Sequence, residues 1–411
     1  FYTIKQLWSP VQIMNTSVDK QFDGKFSVEN RYDFLNLNTC RFLWKQVKFP
    51  TATDASNTTA QVLKQGEVQG SDVAAHSAGV LDIKTTILPD ADALFLTAID
   101  RYGHELWRWT FPVNKLNQAN EVLSPLSNKV TSTETENELT VKAKNHTFIF
   151  SKKDGQLKGV SVNNRKISFA NGPRFIGARR ADRSLDQFYN HDDEKAKEKD
   201  RTYSEFPDAA VFTKLDVKED GGNLIVTANY KLGNLDKVQW TINPNGEAVL
   251  DYTYNFSGVV DLMGICFDYP EDQVISKRWL GAGPYRVWQN RIHGTQYDVW
   301  ENDYNDPIPG ETFTYPEFKG YFGSVSWMNI RTKEGTISLT NETPDAYIGV
   351  YQPRDGRDRL LYTLPESGIS VLNVIPPVRN KVNSTDLCGP SSQPKWVNGP
   401  QSGRIIFRFM E

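Results

Sequence analysis

The sequence predicts an all-β protein built from two sandwiches, a small one followed by a much larger one. Period-2 alternation of apolar and polar residues recurs along most of the 411 residues. Aromatic residues, which favour strands, make up 12% of the chain. Helix signals are scarce. The repeated strand–helix alternation of Rossmann folds and (β/α)₈ barrels is missing, so neither fold is expected.

Five short strand patterns, separated by turn residues, come first in the chain. Such a series within about 110 residues is typical of an immunoglobulin-like sandwich. The polar stretch 114–136 is the best linker candidate, so we place a domain boundary near residue 130. We therefore expect an immunoglobulin-like domain over 1–130 and a second domain over 131–411. The five strand patterns are 26–32, 41–47, 80–87, 93–99 and 106–111.

Two hairpins are predicted in the second part of the chain. Asp154-Gly155 separates two strand-like runs, and this dipeptide is a strong hairpin signal. Alternation on both sides of Pro244-Asn245-Gly246 predicts another hairpin, with Trp240 and Leu250 on one buried face. The pattern continues to Phe409 without a second linker, which favours one large sandwich.

The best helix candidate, 192–199, is strongly charged. It lacks an apolar face, so we expect a short solvated helical turn or a loop.

Composition and charge argue against several classes of function. The chain has 47 Lys and Arg against 50 Asp and Glu, a net charge of −3, which argues against nucleic acid or an anionic membrane as the main partner. No apolar run approaches the roughly 18 residues of a membrane span. No nucleotide-binding, phosphate-binding or zinc-protease motif occurs, so no cofactor is predicted.

Three cysteines, Cys40, Cys266 and Cys388, lie too far apart for a metal-ligand spacing, so no metal site is predicted from them. Cys266, within an apolar run, is expected to pack as a core residue. The N-terminal stretch 1–5 has no initiator Met and no signal-peptide pattern, and we expect a cut inside a longer protein.

The main candidate site is the loop in the stretch 279–291. Between residues 251 and 330, 17 of 80 residues are aromatic, against 49 in the whole chain. Two glycines and a proline fix a tight loop, and Trp288, Asn290 and Arg291 follow with a stacking face and hydrogen-bond donors. That combination suits a hydroxyl-rich sugar ring. The alternative is that these aromatic residues form the core of the sandwich.

Three further groups have a functional and a structural interpretation. Arg180, Asp182 and Asp186 suit a sugar cleft or a surface ion-pair cluster. Glu301 and Asp303, in the acidic stretch 300–306, suit an acid–base pair or a calcium site, and we favour a solvated loop.

His293 and Tyr297 suit the base and acid of a sugar epimerase or lyase. A lone His beside a Tyr is more often structural.

Three stretches carry a family resemblance. The first is 7–13 with 26–37 and Trp44, the second is 148–157 with 171–174, and the third is Trp279-Leu280-Gly281-Ala282-Gly283-Pro284 with Arg291. Together they resemble the C-terminal portion of glycoside hydrolase family 2 enzymes of the β-galactosidase type. The first resembles the opening of the family's immunoglobulin-like domain, the second the start of its last domain, and the third its G-x-G-P-x-E-x-Y-x-D-R loop.

The resemblance implies a fold for the last domain and a location for the catalytic residues. The family's last domain is a β-supersandwich, shared with galactose mutarotases, which packs beside the barrel and lends side chains to the sugar pocket. The two catalytic glutamates lie on that barrel, before residue 1, so we expect no catalytic residue here and no hydrolysis by this chain alone. The expected partners are the missing barrel and a carbohydrate, either a galactoside or another plant or host glycan. We favour a periplasmic or extracellular bacterial location over the cytoplasm.

The chain departs from the family's loop at three positions. Arg286 stands at the Glu position, Trp288 at the Tyr position and Asn290 at the Asp position. The family's Asp-Asp-Ser-Trp segment corresponds to 385–390, which has no aromatic residue. A plant-polysaccharide fragment is therefore as consistent with the sequence as galactose.

We expect non-catalytic domains that support the barrel and contribute to carbohydrate binding. The expected sugar-facing residues are Tyr285, Arg286, Trp288, Asn290, Arg291, Arg180, Asp182 and Asp186. Two alternatives stay open: purely structural domains, or a stand-alone enzyme that uses His293 and Tyr297.

Overall fold

A computed structural model describes most of the chain, and two compact units emerge from it. The described residues are 1–54, 59–113, 129–180, 203–206, 208–303, 320–350, 367–377 and 389–411. Unit 1 consists of Phe1–Gln118, Leu280–Pro284 and His293–Trp300. Unit 2 consists of Ala119–Trp279, Tyr285–Ile292 and Glu301–Glu411.

The N-terminal part of unit 1 contains a short helix and two antiparallel sheets within the described residues. One sheet has the order β1-β2-β5 and the other β4-β3-β6-β7. The elements are α1 (Tyr2–Leu7), β1 (Val11–Ile13), β2 (Lys25–Asn30), a 3₁₀ turn (Leu37–Thr39), β3 (Arg41–Lys48), β4 (Gln61–Gln69), β5 (Ser77–Asp82), β6 (Ala93–Ile99) and β7 (Glu105–Pro112).

The five strands expected in this unit are all present, and their inward residues form one core. Phe26, Phe42, Leu81 and Leu94 are among its fully buried members, so the core draws on both sheets. The strand predicted over 80–87 instead runs from Ser77 to Asp82 as β5. The Asp82 carboxylate accepts a hydrogen bond from the backbone N–H of Lys84 at 2.8 Å, and Lys84 adopts a φ of 53°, which stops the strand.

The rest of the described chain forms a ten-stranded and a nine-stranded antiparallel sheet. The first has the order β24-β25-β19-β13-β11-β10-β9-β8, with β12 beside β11 and β14 beside β13. The second has the order β15-β16-β17-β18-β26-β23-β22-β20-β21.

The strands are β8 (Thr131–Glu134), β9 (Glu138–Ala143), β10 (His146–Ser151), β11 (Leu157–Val162), β12 (Arg165–Ile167), β13 (Ala170–Arg180), β14 (Tyr203–Glu205), β15 (Val211–Asp220), β16 (Asn223–Lys231), β17 (Leu235–Ile242), β18 (Ala248–Val260), β19 (Leu262–Asp268), β20 (Val274–Gly283), β21 (Gln296–Asp303), β22 (Trp327–Thr332), β23 (Gly335–Asn341), β24 (Tyr347–Gly349), β25 (Ile369–Val374) and β26 (Lys395–Met410). Two 3₁₀ turns, Glu271–Gln273 and Pro390–Ser392, complete the described elements.

Both predicted hairpins are confirmed. Trp240 pairs directly with Leu250, and both side chains are buried. The Asn243 side-chain oxygen accepts from the backbone N–H groups of Asn245 and Glu247, each at 3.0 Å, and so closes the turn. Across the core, Trp240 packs on Phe267 of the other sheet with ring centroids 6.0 Å apart. The all-β class and the large sandwich are therefore as predicted.

The remaining expectations for the fold concern the predicted linker, the helix candidate and Cys266. Thr131–Glu134, inside the predicted linker, forms the edge strand β8, whose four side chains are all exposed. An edge strand needs no apolar face, which is why its polar sequence looked like a linker. Residues 114–128 of that linker and the helix candidate 192–199 lie outside the described residues. Cys266 is buried in the core, as expected.

Candidate functional site

The candidate site is a loop of unit 2, residues 285–292, that follows β20. Val287 forms a two-way backbone bridge with Tyr321, with N–O distances of 2.7 and 2.9 Å. The backbone N–H of Arg291 donates to the carbonyl of Trp288 at 2.9 Å and closes a tight turn. Gly283-Pro284, immediately before the loop, is a cis peptide. The sequence predicted a tight loop at the two glycines and Pro284, but Gly281 and Gly283 end strand β20. The tight turn instead lies at Trp288–Arg291.

Gln289 anchors this loop to the 3₁₀ turn Pro390–Ser392. Its side-chain amide donates to the carbonyls of Ser391, at 2.9 Å, and Gln393, at 2.7 Å. Its backbone N–H donates to the carbonyl of Pro376 at 3.1 Å. Asn290 adds a bond from its amide to the Ser392 hydroxyl at 3.0 Å. Three hydrogen bonds from one largely buried residue fix the position of the loop.

Trp288 does not fit the stacking role that its sequence context suggested. Its side chain is only 3% exposed, and it belongs to a buried cluster with Val287 and Tyr321. The Trp288 and Tyr321 rings meet edge to face with centroids 5.6 Å apart. A sugar ring cannot reach the indole in this arrangement. Trp288 shapes the loop from within the core, the alternative that the sequence left open.

The side chains of the other four candidate residues in the loop differ in their exposure to solvent. Arg286 is buried, and its guanidinium carbon lies 6.0 Å from the Phe322 ring centroid, a cation–π distance. Tyr285 and Asn290 are half-buried, and Arg291 is exposed. The groups that a ligand in solvent can reach are therefore the side chains of Tyr285, Asn290 and Arg291. They supply a phenol, an amide and a guanidinium within one loop.

The second predicted cluster is only partly described. Arg180 is the last residue of β13, where its backbone pairs with Tyr203 of β14. Its side chain, together with Asp182 and Asp186, lies outside the described residues. Their role in a sugar cleft stays a prediction.

Comparison with known proteins shows the family to which this chain belongs. The model of the beta galactosidase small chain family matches residues 142–374, more than half of the chain and all of the loop. The chain belongs to this family. A search of curated proteins found no match. The assignment agrees with the resemblance found in the sequence, at the level of the beta galactosidase small chain.

Two solved structures resemble the fold of this family member. A galactose 1-epimerase from Lactobacillus acidophilus matches at 9% identity over 69% of this chain and 99% of its own, with a TM-score of 0.37. A cycloalternan-forming enzyme from Listeria monocytogenes, solved with a pentasaccharide substrate, matches at 9% identity over 97% of this chain and 30% of its own, with a TM-score of 0.21. The family assignment rests on the family model alone.

The alternative acid–base pair of this beta galactosidase small chain protein lies in unit 1. The Tyr297 ring packs edge to face on Phe49, with centroids 5.6 Å apart. The His293 side chain is exposed, and its backbone carbonyl accepts a hydrogen bond from the Thr3 hydroxyl at 2.9 Å. The Tyr297 ring thus has a packing role in the immunoglobulin-like unit. Their catalytic use stays a prediction.

The acidic stretch 300–306 is described only as far as Asp303, and this part belongs to strand β21 rather than to the expected loop. Glu301 and Asp303 are both exposed, and the Asp303 carbonyl accepts a hydrogen bond from the fully buried Lys277 ammonium at 2.6 Å. Among the described residues, no group of three or more His, Cys, Asp or Glu side chains is placed to hold a metal ion. Asp306 lies outside those residues, so calcium binding there stays a prediction. No helix in the described part of the chain is long and apolar enough to span a membrane.

The sequence did not predict two sets of residues that hold other residues in place. Gln289 contacts residues about a hundred positions further along the chain, and no local pattern announces such a contact. In unit 1, Arg108 donates to the Gln296 side-chain oxygen at 2.8 Å and pairs with the Asp298 carboxylate at 2.9 Å. Burial raises the pKa of Asp298 although Arg108 opposes the shift, as expected for an ion pair held largely out of solvent.

Proposed function

We propose that this chain is the non-catalytic C-terminal portion of a family 2 glycoside hydrolase. In this proposal its two units support the catalytic barrel, and unit 2 contributes to carbohydrate binding. The observation that carries the proposal is the family match over 142–374, which includes the loop 285–292. The family's name concerns β-galactosidase, so a galactoside is the first ligand to test.

The loop geometry supports a binding role rather than a reacting one. The half-buried Asn290 amide and the exposed Arg291 guanidinium are donors, and sugar hydroxyls accept from such groups. Gln289 holds the turn that carries them by three hydrogen bonds. A donor set that is fixed before the ligand arrives loses less conformational entropy on binding.

The proposal predicts binding without hydrolysis. The purified chain is titrated with galactose and lactose by saturation-transfer NMR, and p-nitrophenyl β-galactoside is offered in parallel. We expect sugar signals that Arg291→Ala weakens strongly, because the mutation removes an exposed charged donor, and no release of nitrophenol. Arg331→Ala, an exposed arginine on β22, is the matched control.

Two results would overturn this assignment. Nitrophenol release that is lost in His293→Ala would instead favour a stand-alone enzyme that uses His293 and Tyr297. Sugar signals that Arg291→Ala leaves intact would remove the loop from the binding site.

A further inference from the structure

The outer face of the nine-stranded sheet carries a continuous polar row along β26. The pairing of β18 with β26 runs from Val260–Lys395 to Ala248–Phe407 without a register shift. Side chains two residues apart therefore share a face over this whole length. Five residues of β26, all exposed, form the row, and five residues of β18 stand opposite them. The pairs are Trp396–Val259, Asn398–Ser257, Pro400–Asn255, Ser402–Thr253 and Arg404–Asp251.

One end of this row is a polar groove of about 380 Å³. Arg404 lines the groove and is held by both oxygens of Asp251, at 2.8 and 3.0 Å, and by Glu342 at 3.0 Å. Lys237 and Gln239 of β17 continue the floor beside β18. The two cations and two anions sum to zero charge, so the groove has no preference for an ionic ligand. It offers ammonium, amide and hydroxyl groups to a hydroxyl-rich one.

The other end of the row is an exposed indole. Trp396 is 71% exposed, eight residues from Arg404 and so about 26 Å away along the strand. Between them, the Ser257 hydroxyl donates to the Asn398 side-chain oxygen at 2.8 Å. A row of polar side chains that ends in an exposed indole suits an extended chain of sugar rings. Their C–H faces stack on the indole while their hydroxyls bond to the polar side chains.

The composition of the face argues against other macromolecules. A protein interface concentrates aromatic and apolar side chains at its centre and depletes charges there. Among the ten paired residues, the single aromatic one, Trp396, lies at one end, and the charges of Asp251 and Arg404 lie at the other. Nucleic acid would require a net positive face, and the groove has none.

We propose that this face, from the Arg404 groove to Trp396, binds an extended neutral polysaccharide. The surface is separate from the loop 285–292, since none of its residues belongs to that loop. The inference therefore stands whether or not the loop binds a sugar.

Native affinity electrophoresis of the whole chain tests this proposal. The gels contain β-1,4-galactan, xyloglucan or arabinoxylan as neutral probes and polygalacturonan as an anionic one. We expect at least one neutral polysaccharide to retard the chain, with an affinity that Trp396→Ala lowers about tenfold. Gln239→Ala, at the far end, is expected to weaken the same binding. Tyr102→Ala, an equally exposed aromatic residue of unit 1 at 69%, is the control that should change nothing.

Each of the other outcomes overturns the proposal. Retardation by none of the neutral probes, or only by polygalacturonan, contradicts the neutral ligand class. Retardation that is unchanged in Trp396→Ala places the binding surface elsewhere. Retardation that is lost in Arg291→Ala but kept in Trp396→Ala assigns binding to the loop alone. Self-association that disappears in Trp396→Ala, without polysaccharide binding, makes the face a protein interface. Melting curves of each variant exclude unfolding as the cause.

Discussion

Lowering the pH is expected to weaken the large sandwich through His146. This residue of β10 is buried, and its Nε2 lies 2.8 Å from the Phe409 carbonyl oxygen on β26, in the other sheet. Since a carbonyl only accepts, Nε2 carries the proton of the neutral ring. Nδ1 is buried without a partner and lies against Gly246, where even a Cβ atom would stand 2.1 Å from it. A proton on Nδ1 would therefore have no acceptor in this arrangement.

Burial lowers the pKa of His146 below its ordinary value of 6.5, and Lys144 lowers it further, while the hydrogen bond to Phe409 opposes the shift. Above pH 6.5 the ring is neutral in both the folded and the unfolded chain. Below it the unfolded chain binds the proton first, so the free energy of unfolding falls as the pH falls towards the folded-state pKa. Between pH 7.5 and 5.5 this loss is bounded by about 1.4 kcal/mol.

Urea unfolding at pH 7.5 and 5.5 measures this effect in the wild type and in His146→Gln. Gln cannot titrate, so we expect the variant to lose less stability between the two pH values, by up to that 1.4 kcal/mol. Equal pH dependence in wild type and His146→Gln would refute the reasoning.

Three further variants test packing and hydrogen bonding within unit 2. Gln289→Ala removes two side-chain hydrogen bonds from the loop and should lower the free energy of unfolding by about 1–3 kcal/mol in urea titrations. Glu247→Ala leaves the buried Arg408 without its carboxylate and should cost about 3–5 kcal/mol by the same measurement. Gly246→Ala places a Cβ against His146 at a φ of 88° and should lower the melting temperature in calorimetry.

Each of these variants has a matched control. Gln273→Ala removes an amide whose hydrogen bond to Asp272 is exposed to solvent, and Glu67→Ala breaks an exposed ion pair with Arg41. Both should change stability by less than about 1 kcal/mol. Gly221 has a φ of 58°, but a Cβ added there meets no heavy atom within 4 Å. Gly221→Ala therefore measures the cost of backbone strain without the clash that occurs at Gly246. A variant that is no less stable than its control would contradict the packing argument for that residue.

Local patterns were sufficient to predict the strands and hairpins. The turn at Asn243 and the Trp240–Leu250 pair depend on residues within ten positions of each other, so alternation and turn chemistry determine them. The edge strand Thr131–Glu134 was missed because an exposed edge has no apolar face to reveal it.

The site was harder to predict because its geometry depends on distant contacts. Trp288 has the sequence context of an exposed loop residue, and its packing against Tyr321 buries it. Gln289 gained its anchoring role from a turn about a hundred residues away. The polar row on β26 was readable in principle, since Trp396, Asn398, Pro400, Ser402 and Arg404 alternate along one strand. Only the unbroken pairing with β18 shows that they share a face.

A crystal structure of the chain soaked with galactose tests the central claim most directly. We expect sugar density within hydrogen-bonding distance of the Asn290 amide or the Arg291 guanidinium, with the loop 285–292 unmoved because Gln289 already holds it. Galactose bound elsewhere on unit 2, or no sugar at this turn at saturating concentration, would contradict a role for the loop in carbohydrate binding.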